Sequence, residues 1–230
     1  MEAQELLGNV AIITGGGTEV AQAVGLALAR EGVKICLCGA QAHLLEIAAR
    51  KIEASGGICL TLESELDSLD QATSVVEYVR NAFERLDILI LVSPFWAGGY
   101  IHSHNVKTWD RVLAANLREP FLMTRAILPL FRQQKHGEIM VIGSDSALGY
   151  YQQDGAYGVA MHALTALMEL VRVENAEFGI RTLILSPGVA LTVEADSDSQ
   201  SALTVNYVAE WAIWMLTRPA HLRGSGPIQI

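Results

Sequence analysis

Two hydroxyls, a glycine-rich turn and a few carboxylates, cysteines and histidines are the groups in this chain able to do chemistry. Tyr157 stands thirteen residues after Ser144 and four before Met161, at the head of a long apolar helical pattern. Serine and tyrosine both donate hydrogen bonds, and two donors converging on one oxygen stabilise charge developing there. A free phenol titrates near ~10, so only about one in a thousand is ionised at neutral pH unless a neighbouring charge lowers that value. The run Thr14-Gly15-Gly16-Gly17-Thr18-Glu19-Val20-Ala21 lies between an apolar strand pattern and a helical one. Such a turn lets a pyrophosphate reach backbone N–H groups and the positive end of a helix. It serves equally as a tight strand-to-helix connection, and both readings of Gly15 and Gly17 stay open. His102 and His104 lack a patterned carboxylate or cysteine partner, so no metal site is expected. Cys36 and Cys38 share one strand face as small core residues.

The elements that must position these groups alternate along the chain. Val10–Thr14, Lys34–Cys38, Ile58–Leu62, Asp87–Val92, Glu138–Ile142, Arg181–Leu185 and Pro227–Ile230 read as strands. Between them, Ala21–Glu31, Ala42–Ala54, Leu69–Arg85, Val106–Leu117, Pro120–Gln134, Gly155–Phe178 and Tyr207–Thr217 read as helices. Strands separated by helices form parallel βαβ units, and near-continuous apolar strands mean a sheet covered on both faces. The predicted fold is α/β, a Rossmann-like doubly wound parallel sheet of about seven strands in one domain over residues 1–230. Ligands bind such a sheet beyond the carboxyl ends of its strands, where the winding reverses. That selects the loops after Thr14, Cys38, Val92, Gly143 and Ser186.

Composition narrows the partners. A formal charge of −9 argues against nucleic acid or an anionic membrane surface. The apolar runs are strand-length, too short for a bilayer. Met1–Glu5 has no basic segment before an apolar stretch, so no secretory signal is expected. Three cysteines (Cys59 the third) make no disulfide framework, and a reduced cytoplasmic setting is the expectation.

The order and spacing of these landmarks resemble the short-chain dehydrogenases/reductases over essentially the whole chain. Gly137–Ser144 resembles the strand that ends in that family's catalytic serine, and Gly155-Ala-Tyr157 the opening of its tyrosine helix. Asn116, within Ala-Ala-Asn-Leu, matches the asparagine of its tetrad. Pro187 and Gly188 with Thr192 match the Pro-Gly-x-x-x-Thr loop over the nicotinamide. Glu65 falls where the family often has an adenine-contacting aspartate. The resemblance implies that tyrosine exchanges a proton with a carbonyl or alcohol, that serine holds the same oxygen, and that lysine lowers the tyrosine pKa and holds the nicotinamide ribose.

The departures are concerted. The family's Tyr-x-x-x-Lys is Tyr157-Gly-Val-Ala-Met161, and Thr-Gly-x-x-x-Gly-x-Gly has Glu19 and Ala21 at its last two glycines. Cys38-Gly39-Ala40-Gln41 lacks the acid that would hold a ribose, and Asn-Asn-Ala-Gly is Leu91-Val92-Ser93-Pro94. Glu19 is expected to bring a negative charge where a pyrophosphate would lie. His162 and Arg172 are poorly placed to replace the missing lysine. Each matching residue also has a plain reading. Asn116 would bond to backbone at a kink, Ser144 would cap a turn, Tyr157 would be a packed aromatic and Met161 core filler. Phe95, Trp96, Tyr100, Tyr150 and Tyr151 fall at the crevice mouth, as pocket lining or as a surface for another chain.

Three functions follow. The preferred one is a catalytically silent subunit with no NAD(P) cofactor, or one bound weakly. The others are a divergent NAD(P)-dependent oxidoreductase acting on a carbonyl or alcohol, and a non-redox enzyme that polarises a substrate oxygen with Ser144 and Tyr157. The resemblance implies a homo- or hetero-oligomer, tetramer or dimer, through residues 106–134, 155–178 and the C-terminal strand; an active homologue is a possible partner. The family often has a longer substrate loop than Ala190–Asn206, so a more open pocket is expected.

Overall fold

The structure, a computed structural model, describes residues 6–93, 95–188, 204–218 and 228–229. Strand alternation sorts the core onto two faces. In β1 (Val10–Ile13), Val10 and Ile12 pack with one cluster while Ala11 and Ile13 pack with the other. In β2 (Lys34–Gly39), Cys36 and Cys38 face the first cluster and Ile35 and Leu37 the second. The remaining strands are β3 (Cys59–Glu63), β4 (Ile88–Val92), β5 (Gly137–Ile142), β6 (Ile180–Ser186) and β7 (Ile228–Gln229). They pair in parallel in the order β3-β2-β1-β4-β5-β6-β7, so the winding reverses between β1 and β4. The expected seven-stranded sheet is present, and β4 and β5 are buried throughout, as strands covered on both faces must be.

Helices α1 (Glu19–Arg30), α2 (Ala42–Ala54) and α7 (Val205–Thr217) cover one face; α3 (Leu69–Phe83), α5 (Glu119–Gln134) and α6 (Gly155–Asn175) cover the other. Their starts follow side-chain caps. Thr18 Oγ1 accepts from Ala21 N at 3.2 Å, which begins α1 two residues earlier than apolar spacing alone suggests. Ser68 does the same for α3, and Asn105 for α4 (Val106–Leu113). No described helix is long and apolar enough to cross a membrane.

The expected break between helices 106–117 and 120–134 is instead a π-helical segment, Ala114–Arg118, which joins α4 to α5 without interruption. Pro120 fits because it lies in the first turn of α5. Asp87 is not in β4: its carboxylate accepts from Val10 N at 2.8 Å and from Arg85, fixing the entrance to the sheet instead.

Candidate active site

The glycine-rich turn opens the site. Gly15 has φ +62°, a conformation that favours glycine, and its carbonyl accepts from Thr18 N at 2.8 Å. Gly16 N donates to Cys38 O at 2.9 Å, and a Cβ there would come within 2.7 Å of Leu45. Two of the three glycines are thus required by the turn itself. Gly17 lines a cleft of about 590 Å³ at the β1/β4 reversal.

Glu65, Ala40 and Gln41 line the same cleft, as their places after β3 and β2 predict. Glu19 does not: it is exposed in the first turn of α1, outside the cleft wall. Its charge therefore does not line the cleft, contrary to its place in the glycine-rich motif. Two carboxylates in the cleft were not foreseen from the sequence, Asp67 after β3 and Glu119, the first residue of α5. Burial pushes the Glu119 pKa up to about 7; the Thr14 side chain opposes the rise and Glu65 adds to it. The sequence signal was a lone acid, Arg118-Glu119-Pro120, between two apolar stretches. Only the topology brings it to the end of β1.

The cleft has the form of a nucleotide site but not the charge of one. A pyrophosphate would enter a cleft whose wall carries Glu119, and no acid stands at Ala40–Gln41 to accept from a ribose. Of the cations in its wall, Arg118 donates to the Asp67 carbonyl and Arg111 lies 4.3 Å from the Phe95 ring centre. These residues do not fit a nicotinamide dinucleotide held in the usual way.

Asn116 sits fully buried within the π segment. Its amide donates to Phe95 O at 2.6 Å and Val112 O at 3.0 Å, and its oxygen accepts from Phe95 N at 3.4 Å. It therefore ties the loop after β4 to the α4–α5 helix, which is the plain reading of bonding at a kink. Its neighbour in that loop, Pro94, lies outside the described residues.

Ser144 and Tyr157 are brought together, near enough for the Ser144 hydroxyl to act on the phenol. Ser144 also caps the short turn Asp145–Ala147, donating to Asp145 Oδ1 at 3.0 Å and accepting from Ser146 N at 3.3 Å. Tyr157 is 7% exposed. Burial pushes its pKa up to about 12; the Ser144 side chain pulls the other way, and Asp154 and Asp145 add to the rise. Among the described residues no cation acts on it.

Met161, 1% exposed, fills the place of the family's lysine with a thioether. Ser93 Oγ donates to its sulfur at 3.6 Å. Neither potential replacement charge is available. The His162 ring stacks on Tyr150 with centroids 4.6 Å apart, and its Nδ1 is 2.9 Å from Gly158 O. Arg172 pairs with Glu169 at 2.8 Å. Pro187 O accepts from Asp145 N at 3.0 Å, tying the end of β6 to the serine loop, and Gly188 follows it. Thr192 and most of the Ala190–Asn206 stretch lie outside the described residues.

Comparison with known proteins agrees with this arrangement. Residues 9–202 match a family model described as short chain dehydrogenase. An uncharacterized oxidoreductase of Staphylococcus saprophyticus is 26% identical over 222 residues, covering 95% of each chain. One from Staphylococcus haemolyticus is 26% identical over 221 residues, again covering 95% of each. Among solved structures, a metagenomic short-chain oxidoreductase in complex with NADP superposes with a TM-score of 0.84 at 24% identity, covering 99% of this chain and 98% of the other. An NAD+-bound xylitol dehydrogenase gives 0.87 at 20% identity, covering 99% of both.

Proposed function

The chain belongs to the short-chain dehydrogenase family, and on that premise we propose that it is a catalytically silent member of oxidoreductase ancestry, acting as a subunit of a cytoplasmic oligomer. The observation that carries this reading is the setting of Tyr157. With its pKa near 12, only about one phenol in a hundred thousand is ionised at neutral pH. That is a cost of about 3 kcal/mol relative to a free tyrosine, where an active site needs the opposite shift. Met161 offers no charge to reverse it.

The subunit role is supported by the apolar surface of the helices the family uses for assembly. Phe121 on α5 is 43% exposed, and Leu170 and Val173 on α6 are 58% and 65% exposed. The test is a pure sample incubated with NADH or NADPH and a range of aldehydes and ketones, followed by nicotinamide absorbance. No turnover is expected, and turnover of any carbonyl overturns the reading. Purification at native levels should bring down a homologue with an intact Tyr-x-x-x-Lys.

The closeness of Ser144 to Tyr157 favours one second reading, in which the neutral phenol donates its proton to a substrate oxygen. Under that reading Tyr157 acts as a general acid, and Tyr157→Phe abolishes the activity.

A further inference from the structure

Glu119 is the acid that neither the ancestry nor the Ser144–Tyr157 pair accounts for. We propose that it determines what the cleft accepts: its carboxylate turns away the diphosphate of a dinucleotide and admits a neutral, nucleoside-sized ligand that donates hydrogen bonds. This goes beyond the silent-subunit reading, which rests on the opposite end of the crevice.

The geometry gives the carboxylate little support for its charge. Although Glu119 begins α5, its own N–H donates to Ala114 O across the π segment, so no free helix amide is turned to its side chain. The Thr14 side chain favours the ion and is outweighed by burial. From the β3–α3 loop, Glu65 and Asp67 line the same cleft, and from β2 the buried Cys38 thiol is uncharged. From α4 and the π segment, Arg111 is spread over Phe95 and Arg118 is bonded to the Asp67 carbonyl. A bound diphosphate would add two negative charges to this wall.

A nucleoside makes the opposite use of the same groups. Its hydroxyls donate to Glu119 and Glu65, and its flat base has Phe95, Ala114 and Ala115 to lie against. The cleft, at about 590 Å³, has room for one. Because burial holds Glu119 near neutrality, it carries its charge above about pH 7 and is a neutral donor below. Affinity for a diphosphate therefore rises as pH falls, while affinity for the uncharged nucleoside changes little.

The experiment compares ADP-ribose with adenosine, which share the nucleoside and differ in the diphosphate and the terminal ribose it carries. Both are titrated calorimetrically into the full chain at about pH 6 and about pH 8, either side of the Glu119 value. For the unaltered protein, adenosine binds at both, and ADP-ribose binds about tenfold more tightly at the lower pH, the size of one charge at cleft distances. Glu119→Gln binds ADP-ribose at the higher pH as tightly as the unaltered protein does at the lower, and loses the pH dependence. Glu119→Ser serves if the glutamine variant does not fold, as judged by circular dichroism. The proposal is overturned if ADP-ribose affinity ignores the substitution, if adenosine follows ADP-ribose through both changes, or if adenosine does not bind. None of these readings involves turnover, so their failure is separable from that of the silent-subunit reading.

Discussion

The Met161 sulfur lies 3.6 Å from the Ser93 hydroxyl, in a core position 1% exposed, so two neutral groups meet where the family has a lysine beside its cofactor. This contact is part of the packing between α6 and the end of β4. A Cβ added to Gly143 would also touch that sulfur at 3.4 Å. The neutral site is thus built into the core and is more than one missing charge.

Met161→Lys tests this packing. A charge placed in this 1% exposed position loses its hydration, so the variant should lose about 2–4 kcal/mol of stability in a denaturant titration. The ammonium should also draw the Tyr157 pKa down from about 12, read as phenolate absorbance appearing at lower pH than in the unaltered protein. An unshifted phenolate curve would show that position 161 does not act on Tyr157.

Tyr157 also makes a prediction for alkaline stability. Its folded pKa, about 12, lies above the ordinary value of 10.0, so the folded state holds the proton more tightly. The associated stability is fully present below about pH 10 and is lost as pH rises through about 12, amounting to about 3 kcal/mol. Cys38 and Cys59, pushed up from 9.0 to about 12 and about 11, lose stability in the same direction but from a lower starting pH. The readout is therefore a difference: between about pH 10 and about pH 12 the melting temperature of Tyr157→Phe should fall less steeply than that of the unaltered protein. Parallel curves would contradict the buried-phenol account.

The cysteines give a simpler check. Cys36 and Cys38 are fully buried in β2 and burial pushes both thiols up, so neither should react with a thiol reagent until the chain unfolds globally. Cys59, 9% exposed near the sheet edge, should react first. Fast labelling of two or more thiols in the folded protein would mean that β2 opens locally.

The fold was legible because its elements are periodic and capped. Lys34–Cys38 reads as a strand from its apolar run, and Ala42–Ala54 as a helix from its spacing and the Gly56-Gly57 stop. The Ser144, Tyr157 and Met161 grouping was legible through fixed spacing along one strand–loop–helix unit. Glu119 was not, because its meaning depends on Thr14 and Glu65, which reach it only through the β1/β4 reversal. Glu19 was misread for the converse reason. Its place in the motif suggested the cleft, whereas the Thr18 cap makes it an exposed first-turn residue.

Asn116 supplies the last prediction, which separates positioning from reaction chemistry. A π segment shifts the helix ladder and leaves carbonyls in need of donors. The Asn116 amide meets one of them, Val112 O, and also holds Phe95 through both its N–H and its carbonyl. Replacing it with alanine leaves the Phe95 carbonyl and amide without that partner in a buried place, at a cost of about 2–4 kcal/mol. Asn116→Asp keeps the acceptor for Phe95 N but offers a negative oxygen to two carbonyls, so it should be as damaging at neutral pH and partly recover when the acid is protonated. Hydrogen exchange at the Phe95 amide should speed up in both variants while the strand amides of β1 and β5 keep their protection. If the loss instead spread evenly across the sheet, Asn116 would be an ordinary core residue, and the tie between the β4 loop and the helix carrying Glu119 would have to be sought elsewhere.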